Sequence, residues 1–361
     1  MEKNEILMIY GDDPKKMAME IAESAGLADL IGDKGKRIGL KPNLVVARPA
    51  SNGATTHPEI VEGLIIYLKD KGFKNIVILE GAGAGNSTTR AFSACGYSHL
   101  TEAGVELIDT QRDRYQTLDC GGIKMEICES ALALDFMINL PVLKGHCQTL
   151  LTCALKNNKG VLSDSEKRRF HSLGLHKPIA HLATAVRNDF IVVDGICGDL
   201  DFEEGGNPVY GCRIFAARDP VLCDAWAAEL LGLSLDQIPY IGLAEKLGVG
   251  STGPARLREL NLNSDAPPPP RPQGKAKQLS SHIDEDSACS SCHAALVYAL
   301  SRLDSRSRQR LGKVSIGQGF KGKRGLQGSM GVGVCTGGLE SFCPGCPPTG
   351  AEILKFLQGK S

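Results

Sequence analysis

The chain has 361 residues, enough for two or three domains, and carries 41 Lys and Arg against 41 Asp and Glu. Without a basic excess, and with only a short basic run from Lys321 to Arg324, it does not read as a nucleic-acid binder. Apolar residues make up 42%, which supports a packed core, yet no run of 18 apolar residues occurs and no membrane span is expected.

The first residues, MEKNEILMIYG, lack a basic region followed by an apolar one, so a cytoplasmic location with reduced cysteines is expected. Strand-like apolar runs come next at RIGLKPNLV (37–45), NIVILEG (75–81), VELIDT (105–110), DFMINLPVLK (135–144), DFIVVDGI (189–196) and CRIFAA (212–217). Helical patterns stand among them at PKKMAMEIAESAG, PEIVEGLIIYLKDKG and DPVLCDAWAAELLG. This alternation predicts an α/β fold, a largely parallel sheet flanked by helices, whose ligands gather beyond the carboxyl ends of the strands.

Polar residues collect at those ends. Lys41 and Asn43 follow RIGL, Thr56 and His57 precede a helix, Glu80 ends NIVIL and Asp194 ends FIVV. Thr56 reads as an ordinary helix cap. The stretch LKGHCQTLLTCALKNNKG adds Lys144, His146, Lys156, Asn157 and Lys159. Several cations and donors aimed at one crevice suit a small anionic substrate such as a carboxylate or phosphate. His146, whose ordinary pKa is near neutrality, and Lys156 are the predicted catalytic residues. Lys41, Asn43, His57, Glu80, Lys144, Asn157, Lys159 and Asp194 are the predicted substrate contacts, while His171 reads equally well as a surface residue. The glycine run GAGAGNST at 81–88 lacks the dinucleotide spacing and any GK[ST], so a tight turn is expected there.

A proline-rich stretch, SDAPPPPRPQGKAKQLSSH, is read as an extended linker over 264–282 between an α/β domain (1–263) and a cysteine-rich domain (283–361). Cys95, Cys120, Cys128, Cys197, Cys212 and Cys223 stand singly and read as small buried hydrophobes. Past the linker, Cys289 and Cys292 open a helical pattern, Cys335 follows two glycines, and Cys343 and Cys346 lie in CPGCPP. The gap between the C-x-x-C pairs is far wider than zinc ribbons favour. Proline after cysteine and glycine-rich surroundings point to an iron–sulfur cluster, with zinc, free thiols or a disulfide as the alternatives.

With LKPNLV, GATTHPEIV, NLPVLKGHCQTLLTCALKNNKG, VDGI, EEGGNPV, the C-x-x-C, GVC and GCPP, the chain resembles the family catalogued as domain of unknown function 362. The resemblance implies a 4Fe–4S cluster held by Cys289, Cys292, Cys335 and Cys346, with Cys343 a spare thiol or a rival ligand. The reading that results is an oxidoreductase acting on a small anionic substrate, with a redox partner such as a ferredoxin and with neither nucleic acid nor membrane as partner. The alternatives are a lyase, isomerase or racemase with a structural or Lewis-acid cluster, or an electron carrier or metallocentre-assembly partner. A crevice lined by Lys and His is similar in layout, at the level of fold only, to that of lactate-racemase-like proteins.

Overall fold

A computed structural model describes residues 1–254, 257–264, 266–324 and 329–359. The large sheet has eight strands: β1 (Glu5–Tyr10), β2 (Ile38–Pro42), β3 (Ile76–Glu80), β4 (Glu106–Asp109), β5 (Phe136–Leu140), β6 (Phe190–Asp194), β7 (Arg213–Ala217) and β8 (Arg258–Asn261). Their spatial order is β8-β1-β7-β6-β5-β2-β3-β4. β7 runs antiparallel to both its neighbours, and every other pairing is parallel.

Both faces are covered, as a parallel sheet requires. Alternate residues of each strand serve opposite layers: Leu7, Ile9, Ile76 and Ile78 pack with helices Pro14–Ser24 and Pro58–Asp70. Ile6, Met8, Val77 and Leu79 join the layer that contains helices His176–Leu182, Pro220–Leu231 and Pro239–Lys246.

The six predicted strands are present, with two differences. The run at 135–144 ends as a sheet strand at Leu140, before Pro141, and Lys144–His146 instead forms a hairpin with Leu150–Thr152. β1 and β8 were not predicted: β8 is a partly exposed edge strand of sequence RELN, whose pairing with β1 leaves no apolar signature.

In the C-terminal part, β9 (Ile283–Glu285), β10 (Val314–Ile316), β11 (Met330–Val332) and β12 (Ser341–Cys343) pair in parallel and in sequence order. Helices Ser290–Ser301 and Gly350–Gln358 contribute Leu296, Val297, Leu300, Ile353 and Leu357 to the core with Val314, Ile316 and Val332. Of the predicted linker, residues 266–274 form neither helix nor strand. Arg213 Nη2 donates to the carbonyls of Pro267 and Pro268 at 2.8 and 2.9 Å, and Asp201 accepts from the backbone N–H of Gln273 and Lys275. From Lys275 to Leu279 the chain is helical, because proline has given way to KAKQL and Leu279 can bury in the C-terminal core.

Candidate functional site

The carboxyl ends of β2, β3, β5 and β6 share one side of the sheet, and the C-terminal part covers it. One cavity results, about 690 Å³ of atom-free space including open solvent, lined among others by Asn43, Glu80, Lys144, His146, Lys156, Asn157 and Lys159. All seven are residues predicted from the sequence. Lys41, His57 and Asp194 are predicted contacts that do not line it. Lys41 is fully buried in an ion pair with Glu80. His57 Nδ1 lies 2.7 Å from Asp194 Oδ2, and the same carboxylate accepts from the His57 and Ile196 amides. These two fasten the start of helix Pro58–Asp70 to the end of β6. Thr56 is not the cap: its hydroxyl donates to the Leu140 carbonyl at 2.7 Å and accepts from Asn43 N–H at 2.9 Å, tying two strand ends together.

The lysines differ in how they are held. Lys144 Nζ donates to Asn43 Oδ1, Ala54 O and Glu203 O, which uses all three of its protons. Lys167, not singled out in the sequence, donates to the carbonyls of Gly81 and Ala82 at 3.1 and 2.8 Å. Lys156 has only the Thr152 hydroxyl at 3.3 Å, and Lys159 Nζ has no hydrogen-bond partner among the described residues. Enclosure in protein pushes the Lys156 and Lys159 amines down to about 7, with Glu203 opposing the shift in both. Two under-partnered amines therefore face one cavity.

Lys156 is positioned from below. Its short helix, Ala154–Asn157, is capped by Asp224, which accepts from the Ala154 and Leu155 amides at 2.7 and 3.3 Å. Asn157 Nδ2 reaches Asn139 Oδ1 at 2.7 Å and the Lys41 carbonyl at 3.3 Å, so the helix is pinned to β5 and β2.

His146 corrects the expectation of a near-neutral acid–base group. Burial first, then Lys156 and Lys159, hold its pKa well below the ordinary value. Nδ1 accepts from the Gln148 and Thr149 amides at 3.1 and 3.2 Å, which leaves the proton of the neutral ring on Nε2. His171 also lines the cavity and is held neutral in the same way, by burial, Lys159 and Lys156. Glu203 and Glu204, from the EEGGNPV stretch, were legible in the sequence only as part of a family motif.

The glycine run makes close contacts at two positions. A Cβ at Gly81 would stand 2.3 Å from Thr110 Oγ1 and 2.8 Å from Lys167 Nζ, and one at Gly85 2.7 Å from Pro347 Cδ. The stretch is a packing seam between the large sheet and the cysteine segment, which accords with the expected tight turn.

Beside the lysine cavity lies a smaller one lined by Cys289, Cys292, Cys335 and Cys346, with Gly333, Gly345 and Gln318 between them. Cys289 is the N-cap of helix Ser290–Ser301, and all thirteen cysteines are free thiols. Gly333, at φ +89°, leaves the approach to Cys292 open; a Cβ there would lie 3.4 Å from its sulfur. Cys343 points elsewhere, into the C-terminal core. Among the described residues, the one group of three or more potential ligands whose atoms all lie within 4.8 Å of one another is Cys153, Cys223 and Asp224, so no three of the four cavity sulfurs are that close. A tetrahedral zinc site, with bonds of about 2.3 Å, draws its sulfurs to within roughly 4 Å of one another. Four cysteines around one cavity supply the ligand number of a four-cysteine cluster site.

The chain belongs to the family described as "Domain of unknown function (DUF362)", which matches residues 38–229, more than half of its length. It is similar to the "Thylakoid-associated protein sll1697" of Synechocystis, 26% identical over 230 residues that cover 60% of this chain and 70% of that one. Among solved structures, the lactate racemase apoprotein from Thermoanaerobacterium thermosaccharolyticum aligns with 16% identity and a TM-score of 0.43 over 62% of this chain and 56% of that chain. A Thermotoga maritima protein aligns with 15% identity and a TM-score of 0.38 over 65% and 60%. The chain thus spans less than two thirds of the length of either structure. Among the described residues, no helix is long and apolar enough to cross a membrane.

Proposed function

We propose that the chain is an iron–sulfur oxidoreductase that holds a 4Fe–4S cluster on Cys289, Cys292, Cys335 and Cys346 and an anionic substrate in the adjoining lysine cavity. The observation that carries this reading is that Cys289 lines both cavities. A cluster bound there supplies one-electron transfer within reach of the substrate. The remaining work falls to the chain's own side chains: Lys159 and Lys156 bind the anion, His146 lines the same cavity as a neutral ring, and the C-terminal part excludes water. Iron and acid-labile sulfide are assayed after anaerobic purification, and the electron paramagnetic resonance spectrum of the reduced protein is recorded with and without acetate. Four irons and four sulfides per chain, with a spectrum that acetate perturbs, are expected. Stoichiometric zinc without sulfide would overturn the reading.

A second reading is supported by the two amines at about 7, which exchange protons readily near neutral pH. A lyase, isomerase or racemase would use them as base and acid, with the cluster structural. Solvent deuterium entering the substrate without net oxidation or reduction distinguishes this case.

A further inference from the structure

The lysine cavity adjoins a wider groove between the large sheet's loops and the C-terminal part, about 1090 Å³ of atom-free space including open solvent. Glu204 and Ser291 line both, and stand at the junction between them. Past the junction the groove carries apolar side chains among polar ones, which include Arg48, Asn86 and Thr349. Val46 and Phe202 come from one side and Ala294, Ala295, Tyr298 and Pro348 from the other. The Tyr298 ring is held in place: the Arg302 guanidinium stacks 3.4 Å from its centroid, and Gly350 lies so near that a Cβ there would stand 2.5 Å from the ring. Arg48 Nη1 donates to the Glu204 carbonyl at 3.3 Å and so steadies the junction.

Starting from the reading of the lysine cavity as an anion site, we infer that its substrate is a monocarboxylate on an apolar, ring-sized body that occupies this groove. The carboxylate would meet Lys156 and Lys159, and the body would run out between Phe202 and Tyr298. Acidic side chains bear on the choice among anions. Glu203 lines the lysine cavity, and Glu204, which burial pushes up to about 7, stands at the junction beside Arg48. The Glu203 charge disfavours a dianion such as inorganic phosphate more than a singly charged head. A preformed apolar wall beside a few fixed polar groups is the usual construction of a small-molecule site.

The test is calorimetric titration of the anaerobically purified full-length protein with acetate, 3-phenylpropionate and inorganic phosphate. Burying a ring-sized group is expected to make 3-phenylpropionate bind roughly tenfold tighter than acetate, or better. Ala351→Trp fills the groove from an exposed position, and Asn86→Trp does so from the opposite wall. Each should remove that advantage and leave acetate binding unchanged. Equal affinity for the two carboxylates, or equal losses for both in the tryptophan variants, would overturn the groove assignment. Phosphate binding tighter than either carboxylate would overturn it too, while leaving the anion site standing. Failure of all three anions to bind, with Lys159→Gln indistinguishable from the parent, would remove the anion site and this inference together.

Discussion

His146 Nε2 stands 3.6 Å from Glu203 Oε1, both atoms are buried, and neither has a hydrogen-bond partner among the described residues. A neutral N–H and a carboxylate thus face each other across a gap slightly too wide for a hydrogen bond. Glu203 also favours the ammonium form of Lys156. Glu203→Gln removes one repulsive charge from the cavity. At pH 6, where the lysines keep their protons, acetate affinity should rise about threefold to tenfold. The pH at which binding is half lost should move down, and a pH series of titrations reads both effects.

The amines of Lys156 and Lys159, near 7, make anion binding pH-dependent with a definite sign. Both ammoniums are present below pH 7, so affinity should be high there and fall as pH rises through 7. Stability runs the other way. Between pH 7 and the unfolded lysine value near 10.4 the unfolded chain binds more protons, so the ligand-free fold gains stability as pH rises across that window. Denaturant midpoints at pH 6.5 and 9 check this, and the gain should shrink in Lys159→Met.

Cluster ligation should track the cavity lining. Cys346→Ser should lose the iron and the visible absorption, whereas Cys343→Ser, whose side chain packs in the C-terminal core, should keep four irons per chain. Iron retained in the Cys346 variant and lost in the Cys343 variant would reverse the assignment.

Gly160 is required by space. A Cβ there would stand 2.4 Å from Glu80 Oε1 and 2.5 Å from Lys41 Nζ, inside a buried ion pair that cannot move aside. Gly160→Ala should cost roughly 1–3 kcal/mol or more by overpacking. Gly242, in helix Pro239–Lys246 with nothing within 4 Å of its Cβ position, is the control. Gly242→Ala should stabilise by about 0.5–1 kcal/mol, and urea denaturation of the two variants measures both.

Much of the site was legible because a parallel sheet sends its strand ends to one side. Asn43 and Glu80 stand at or just beyond strand ends of the sheet. Lys144 and His146 come from the hairpin after the strand that ends at Leu140, and Lys156, Asn157 and Lys159 from the helical turns that follow it. Which of the polar residues already had partners could not be read. Lys41, His57 and Asp194 look like site residues in sequence, yet they are used up in ion pairs or in holding elements together. The protonation of His146 was also out of reach, since it depends on enclosure and on two lysines that only the folded chain brings near. Lys167 reaches the cavity from a helix whose polar pattern looks solvent-facing. β8 was hidden for a different reason: an edge strand is held by backbone pairing and needs no apolar face.

Because Cys289 forms part of the wall between the two cavities, the proposed cluster and the bound anion would share one electrostatic neighbourhood. Negative charge placed on the lysines stabilises the oxidised state of the cluster, so anion binding lowers its midpoint potential. By thermodynamic reciprocity, reduction must weaken anion binding by the same factor. A tenfold difference in affinity between the two oxidation states corresponds to a shift of about 59 mV for one electron. The wall would therefore couple electron entry to release of the anion, with no moving part between them.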